Sequence, residues 1–517
     1  MNGARALIQT LVDSGVDVCF TNPGTSEMHF VAALDEVEPM RGILCLFEGG
    51  ATGAADGYAR MADKPAGTLL HLGPGLGNGF ANLHNARRAR TPVVNIVGDH
   101  ATYHKQYDAP LESDIDAVAQ ACSGWVRRST TPDEVAADAA ATVAASLASP
   151  NQVATLILPA DVCWLDAEGP HQPIDPEPAR VPTPELVAEL VDAFAGGSST
   201  VLLIGGRLMR ERGLVAAARI AAATGVRVLC ETFPTRQERG AGLPTVDRLA
   251  YLAEFAQMQL DGAQHLVVVD TAAPVSFFAY PSKASVLHPD GCIVHEVDLD
   301  IDPVDLLEAA AAALGAPDEV PVAAAARPEL PTGPLTSETV AQALGALMPE
   351  NAVVVDEANT SGLFIPGATA GAPRHDWLCL TGGAIGIGIP LATGAAVACP
   401  DRQVLCLEAD GSAMYTLQAL WTQVREQLNV ITVIFANHSY AVLNMELNRV
   451  GAASVGPKAL KMLDLTGPTL DFVSLAQGMG VEASRATTSE EFVEQLQAAL
   501  AAGGPRLIEA VVPPLGL

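Results

Sequence analysis

The residues best fitted for chemistry stand at the ends of apolar runs. Asp410 follows residues 404–408 and Asn437 follows residues 430–436, and both runs read as buried strands. In a doubly wound parallel sheet, ligands bind at the carboxyl ends of the strands. An Asp carboxylate, an Asn amide oxygen and a nearby backbone carbonyl are hard oxygen donors. They suit Mg²⁺, which keeps few protein ligands and takes the remainder from phosphate and water. Gly411 closes the first run, and residues 412–426 read as a helix whose leading N–H groups would face that phosphate. An Asp-Gly pair after a strand also makes an ordinary strand-to-helix turn, so these residues alone leave both readings open. Glu48 stops the run 42–47 and precedes a small-residue helix, 49–62, whose dipole favours a carboxylate with or without a catalytic task. His71 closes the run 67–71 before a glycine-rich stretch. An imidazole there can shuttle protons, with Glu27 available to fix its tautomer, or can simply cap the turn.

The elements that position these groups alternate in type. Over residues 1–165, helices at 4–14, 27–34 and 49–62 alternate with strands at 17–20, 42–47, 67–71, 93–97 and 154–158. That is the pattern of a parallel α/β sheet. Gly73, Gly75 and Gly77 read as tight backbone turns. Residues 166–182, rich in Pro and Asp, read as a linker, and Thr183-Pro184 then opens a helix with an N-cap and a first-turn proline. A second α/β unit covers 183–312, with strands at 200–204, 226–230, 266–270 and 292–297. Its Gly205-Gly206 pair permits a nucleotide-binding reading, but a plain strand-to-helix turn explains it better. An Ala/Pro-rich segment, 309–332, leads to a third unit, 335–517, with strands at 352–356, 378–380, 404–408, 430–436 and 507–512. The expected fold class is α/β, with three doubly wound parallel-sheet domains.

Composition narrows the function classes. The chain has 517 residues, 49% of them hydrophobic, enough for several buried cores. Its 59 acidic residues against 29 basic ones give a net charge of −30, which disfavours nucleic acid and anionic membranes as partners. The apolar runs are strand length, so no membrane span is expected. The start of the chain enters a helix without a signal-peptide pattern. Nine scattered cysteines without a Cys-x-x-Cys pair suit reduced thiols, so the expected location is the cytoplasm.

Taken in order, Glu408-Ala409-Asp410-Gly411-Ser412 and then Asn437-His438-Ser439 resemble the metal and diphosphate motif of thiamine-diphosphate-dependent enzymes, with Ala409 where that motif usually has Gly. The resemblance implies that Asp410, Asn437 and the Ser439 carbonyl hold Mg²⁺, with Gly411, Ser412 and Tyr440 beside the cofactor. The segment from Phe47-Glu48 to Gly57-Tyr58-Ala59-Arg60 resembles the one whose Glu hydrogen-bonds the cofactor's pyrimidine nitrogen. Glu48 would then promote the imino tautomer that takes the C2 proton of the thiazolium. Gly382-Gly383-Ala384-Ile385-Gly386 resembles the loop whose bulky apolar residue wedges between the cofactor's rings. Ile385 matches the wedge, and the bend it holds gains by bringing amino group and C2 together; a core helix start would use the same residues. Asn359 and Thr360 match diphosphate contacts. Asn22-Pro23-Gly24-Thr25-Ser26-Glu27 and the stretch from His71 to Asn78 resemble benzoylformate decarboxylases and, more loosely, acetolactate synthases. That implies Thr25 and His71 at the substrate. The whole chain resembles the pyrimidine-binding (1–165), middle (183–312) and pyrophosphate-binding (335–517) domains of this superfamily, closest to acetolactate-synthase-like members of mycobacterial type. The resemblance further implies a site shared between subunits, Glu48 of one chain facing Asp410 of another, in a homodimer or a homotetrameric dimer of dimers.

The chain also departs from these patterns. Pro110-Leu111 stands where acetolactate synthases have Phe-Gln, and the middle unit is short for a flavin domain, so no FAD is expected. The stretch from Pro274 to Tyr280 lacks the second active-site His of benzoylformate decarboxylases. His100 and His104, with Tyr107, would substitute or would form a surface loop. Val442, Met445 and Glu446 would approach the substrate, where an inward Glu446 would disfavour a simple aromatic pocket. The expected activity is therefore decarboxylation or carboligation of a small 2-oxo acid. True acetolactate synthesis and a silent cofactor-binding paralogue stand as alternatives. A nicotinamide dehydrogenase ranks last, because no full Gly-x-Gly-x-x-Gly follows a strand.

Overall fold

Runs of Val, Leu and Ile that are apolar on both faces must be covered on both faces, and here each becomes a parallel strand between helices. The computed structural model describes residues 1–451 and 455–515, apart from the side chain of Asn448. Its first sheet runs Arg41–Leu44, Val18–Asn22, Ala66–Leu70, Val93–Asp99, Val153–Pro159, Trp125–Arg128, all parallel. The second runs Asp247–Arg248, Arg227–Cys230, Thr200–Ile204, His265–Val269, Ile293–Glu296, again all parallel. The third runs Glu482–Ala486, Arg506–Val511, Val430–Ala436, Val404–Ala409, Val353–Glu357, His375–Cys379, Gln237–Arg239. Its last strand is antiparallel and comes from the chain region that otherwise builds the second sheet. There the Arg239 guanidinium lies 4.8 Å from the Trp377 ring centroid and donates to the Pro366 carbonyl at 2.6 Å. That short polar strand has no hydrophobic signature and was absent from the sequence reading, as was Trp125–Arg128.

The first and third sheets are joined through two small-residue helices, Glu48–Ala62 and Gly388–Ala398. A Cβ on Gly57 would lie 2.0 Å from the Leu391 carbonyl oxygen, and one on Gly394 would lie 1.8 Å from that of Ala54. The backbones touch because neither glycine carries a side chain, and the flanking Ala51, Ala54, Leu391 and Ala395 fill one shared core. Arg60, fully buried, closes the junction. It pairs with Asp56 at 2.6 Å and donates to the carbonyls of Cys379 and Thr235 and to the Thr381 hydroxyl.

Local differences from the sequence reading have local causes. The single helix expected over 412–426 is two short ones, Asp410–Thr416 and Ala419–Arg425. Leu420 and Trp421 bond to carbonyls three residues back, tightening the chain between them. The helix expected over 27–34 begins as a 3₁₀ turn, Thr25–Glu27, before Met28–Ala33. Gly73, Gly75 and Gly77 are not turns but lie inside the helix Leu72–Ala89. Gly73 and Gly75 are small because other groups press on them: a Cβ on Gly73 would fall 1.8 Å from the Ser113 hydroxyl, and one on Gly75 3.2 Å from Glu48 Oε1. The left-handed residue of that turn is Leu72, at φ 52°. No described helix is long and apolar enough to cross a membrane. All nine cysteines are free, and burial pushes Cys19, Cys45, Cys163 and Cys230 up to about 12.

Candidate functional site

One group of candidates gathers at the carboxyl edge of the first sheet. The strand Ala66–Leu70 ends in His71, the N-cap of the helix Leu72–Ala89, and the left-handed Leu72 turns the chain sharply there. His71 Nδ1 donates to Glu27 Oε2 at 2.8 Å, which leaves Nε2 as the ring's other polar atom. Glu27 is almost fully buried and is held in turn: the Gly24 N–H donates to Oε2 at 2.8 Å and the Ser26 hydroxyl to Oε1 at 2.9 Å. Gly24 has no Cβ because the imidazole fills that space, 2.2 Å from where the atom would be. Thr25 stands exposed on the adjoining turn, and it is Ser26, not Thr25, whose hydroxyl approaches His71, at 3.4 Å. Glu48 begins its helix at the same edge, buried to 9% exposure, and accepts from the Asn78 amide at 3.0 Å. Asn78 lies on the helix that His71 caps, so one helix sets both groups. Asn78 was missed as a partner; its place two turns after His71 was the available signal.

A second group sits at the carboxyl edge of the third sheet. Asp410 is buried and directs each carboxylate oxygen at one backbone N–H, Gly411 at 2.8 Å and His438 at 2.6 Å. Burial raises its pKa, and those N–H groups act against the rise. Asn437 Oδ1 accepts from the Ser439 N–H at 3.0 Å, and His438 between them is left-handed at φ 56°, so the loop folds back over Asp410. Gly411 leaves room for Tyr440, whose ring would lie 2.4 Å from an added Cβ. Asn359 donates to the Ser412 hydroxyl at 3.0 Å, and Thr360 follows it in the same short 3₁₀ turn. Among the described residues, no group of three or more His, Cys, Asp and Glu side chains could hold a metal by itself. The available donors are one carboxylate with neutral oxygens, a set that a bound diphosphate would complete for a hard cation.

The loop 382–388 lies between the two groups. Its first part rests on the helix Leu72–Ala89: His84 Nε2 lies 3.1 Å from the Gly382 carbonyl oxygen, and Asn85 donates to the Ala384 carbonyl at 2.8 Å. Its second part rests on Glu357, which accepts the N–H groups of Gly386 at 2.7 Å and Gly388 at 2.5 Å. Ile385 stands between these supports, half-buried against the core. Gly383, two residues before it, stays exposed but abuts Phe277, whose ring would lie 2.8 Å from an added Cβ. Phe277 is one of a chain of ring contacts from Phe233 and Tyr251 through Phe278 to Tyr280. Tyr280 donates to Glu446 at 2.6 Å, and Glu446 also pairs with Arg449 at 2.6 Å. Glu446 is thus bound to two side chains rather than offered as a free charge. His100, His104 and Tyr107 make tilted ring contacts in succession, at 5.5 and 5.7 Å between centroids, beyond the strand next to that of His71. Among the described residues, no hydrogen bond joins Glu48 or Asn78 to Asp410, Asn437 or Ser439.

Comparison with known proteins fits this arrangement. The family model for the thiamine pyrophosphate enzyme N-terminal TPP-binding domain matches residues 1–120, and that for the C-terminal TPP-binding domain matches residues 367–510. A Mycobacterium tuberculosis protein named "Putative acetolactate synthase large subunit IlvX" is 62% identical over 516 residues, the match covering 100% of both chains. The chain belongs to the thiamine pyrophosphate enzyme family. Within that family, benzoylformate decarboxylase of Pseudomonas aeruginosa is 29% identical over 531 residues, covering 96% of each chain. Among solved structures, a thiamine diphosphate-dependent 4-hydroxybenzoylformate decarboxylase of Rhodococcus jostii shares the fold with a TM-score of 0.86 at 22% identity, covering 99% of both chains. The two family models together take in Glu48, His71, Ile385, Asp410 and Asn437.

Proposed function

We propose that this protein is a thiamine-diphosphate- and Mg²⁺-dependent enzyme that decarboxylates a small 2-oxo acid and releases an aldehyde or joins the remaining fragment to a second carbonyl. When bound, the thiazolium supplies the nucleophilic carbon and the electron sink for that cleavage. The observation that carries the reading is the shared placement of Glu48 and His71 by one helix, each with its own polar partner. In this reading Glu48 holds a proton against the pyrimidine nitrogen. His71, its tautomer set by Glu27, exchanges a proton at Nε2 with the substrate, beside Thr25. Asp410, Asn437 and the Ser439 carbonyl hold Mg²⁺, while Gly411, Ser412, Asn359, Thr360 and Tyr440 line the diphosphate. Ile385 and Gly383 shape the ring site.

The protein acts in the cytoplasm as a homodimer or dimer of dimers, one chain's Glu48 facing the partner's metal loop. Support comes from Leu46 beside Glu48 and from Met414 and Tyr415 just after Asp410, large apolar side chains left exposed at both groups. FAD is not used. At the end of Thr200–Ile204, the edge where such a ligand would lie, Gly206 stands against an ion pair that forms one wall of a cavity of about 320 Å³. A Cβ on Gly206 would meet Asp270 at 2.4 Å and the Arg90 guanidinium at 2.8 Å, and those two side chains pair at 2.6 Å.

The test is calorimetric titration with thiamine diphosphate and Mg²⁺, followed by a panel of 2-oxo acids with CO₂ and carbonyl products both identified. CO₂ with an aldehyde or acyloin is the expected result. Cofactor binding without CO₂ from any substrate would show a silent paralogue. Acetolactate from pyruvate with a bound yellow flavin would show a synthase.

A further inference from the structure

The strands Val353–Glu357 and Val404–Ala409 run parallel in register, which sets Glu357 directly beside Glu408. Neither has been given a role toward substrate or cofactor, yet both carboxyls are buried, at 1% and 0% exposure. A buried carboxyl pair is costly to keep without a task. Glu357 has one: Oε1 accepts the Gly386 N–H at 2.7 Å, and Oε2 accepts the Gly388 N–H at 2.5 Å. The first donor directly follows Ile385 and the two flank Ile387, so one carboxylate spans the back of the loop. Gly386 is left-handed, at φ 95°, and a Cβ there would lie 2.4 Å from Tyr415 Cβ. Its carbonyl is taken by the Thr416 hydroxyl at 2.8 Å. Gly388 is equally constrained, because a Cβ would fall 2.0 Å from Glu408 Oε2 and 3.0 Å from Glu357 Oε2. The front of the loop rests on Asn85 of the first unit; among the described residues, Glu357 is the one carboxylate that accepts from its back.

We infer that Glu357 is a positioning residue for Ile385: by clamping the N–H groups of Gly386 and Gly388 with its two oxygens, it sets how far Ile385 projects between the rings of the cofactor. The inference rests on the proposed function, because only a ring-bearing cofactor gives Ile385 something to bend. The clamp needs two acceptors. A glutamine has one, and its NH₂ would face an N–H. Glu357→Gln therefore releases one end of the loop while changing side-chain volume very little.

The test separates ring from diphosphate. The wild type and Glu357→Gln are titrated with Mg²⁺ and thiamine diphosphate and, separately, with Mg²⁺ and inorganic diphosphate, and amide exchange is followed over residues 383–388 in the cofactor-free protein. Glu357→Gln is expected to bind thiamine diphosphate roughly ten- to a hundredfold more weakly, the size of one charge-assisted hydrogen bond. Inorganic diphosphate should bind as to the wild type, and the amides of Gly386 and Gly388 should exchange faster. Unchanged thiamine diphosphate affinity, or equal weakening for both ligands, would overturn the inference. If Glu357→Gln does not fold, Glu357→Asp is read in the same way, since it keeps the carboxylate but draws it back by one methylene. A wild type that fails to bind thiamine diphosphate refutes the proposed function instead. The cofactor-free exchange then decides the clamp alone, unchanged rates overturning it.

Discussion

Glu27→Gln tests how His71 is held. Glu27 accepts His71 Nδ1 and the Gly24 N–H on the same oxygen, Oε2, each at 2.8 Å, while Oε1 faces the Ser26 hydroxyl at 2.9 Å. A glutamine can keep that geometry, with its carbonyl oxygen at the Oε2 position and its NH₂ donating to Ser26, whose hydroxyl turns to accept. What it removes is charge. The protonated imidazole loses its carboxylate counter-charge and keeps only a neutral acceptor, a loss of about 1–1.5 kcal/mol in that state. That corresponds to roughly a tenfold fall in kcat. Glu27→Ala removes the acceptor altogether and leaves the Gly24 N–H and the imidazole without it, at a cost of about 2–4 kcal/mol in stability. The assay is kcat and KM on the best 2-oxo acid of the panel, with urea unfolding of each variant. The reasoning fails if Glu27→Gln keeps full kcat, or if it destabilises the protein as much as Glu27→Ala.

Other substitutions probe different parts of the molecule. Glu48→Gln should still bind thiamine diphosphate in calorimetry but lose about a hundredfold or more in turnover, as expected for a lost proton-transfer group; retained turnover would remove Glu48 from the mechanism. Arg60→Ala should cost about 3–5 kcal/mol in denaturant unfolding, because it leaves Asp56 charged and fully buried; a loss under about 1 kcal/mol would contradict that. His375 is buried, and burial pushes its pKa down to about 4, with Arg239 and Arg402 acting in the same sense and Asp376 and the Pro373 carbonyl against it. The unfolded chain therefore takes up this proton first, and stability falls as pH drops from about 6.5 toward 4. Between pH 7.5 and pH 5 this group should remove about 2 kcal/mol, seen as the difference in pH dependence between the wild type and His375→Gln. Identical slopes would sink the assignment.

What could be read from the chain depended on how local the cause was. Asp410, Asn437, Glu48 and His71 each end an apolar run, and strand ends are written in the sequence next to the residue itself. The three-sheet α/β architecture was legible for the same reason. Glu357 was not. It reads as the last residue of an ordinary strand, and its partners, Gly386 and Gly388, lie in a loop brought to it by a crossover. That the Ser26 hydroxyl approaches the imidazole is decided by the 3₁₀ turn, a conformation without a clear sequence pattern. The sequence left open whether Glu446 points inward. Its partner Tyr280 comes from a distant loop, so only tertiary packing shows the charge to be bound.

The strand Gln237–Arg239 ties the chain's middle to its end more tightly than the linkers suggest. It covers the edge of His375–Cys379 that would otherwise present a row of open backbone groups. A fragment starting after the Ala/Pro-rich segment would therefore be born with a raw, pairing-competent border, however complete its own core. A graft exchanging the second sheet for that of a relative would carry the border piece with it or leave the gap behind. Evolutionary recombination at the apparent linkers is constrained in the same way: the natural seam of this protein does not lie where its loops are.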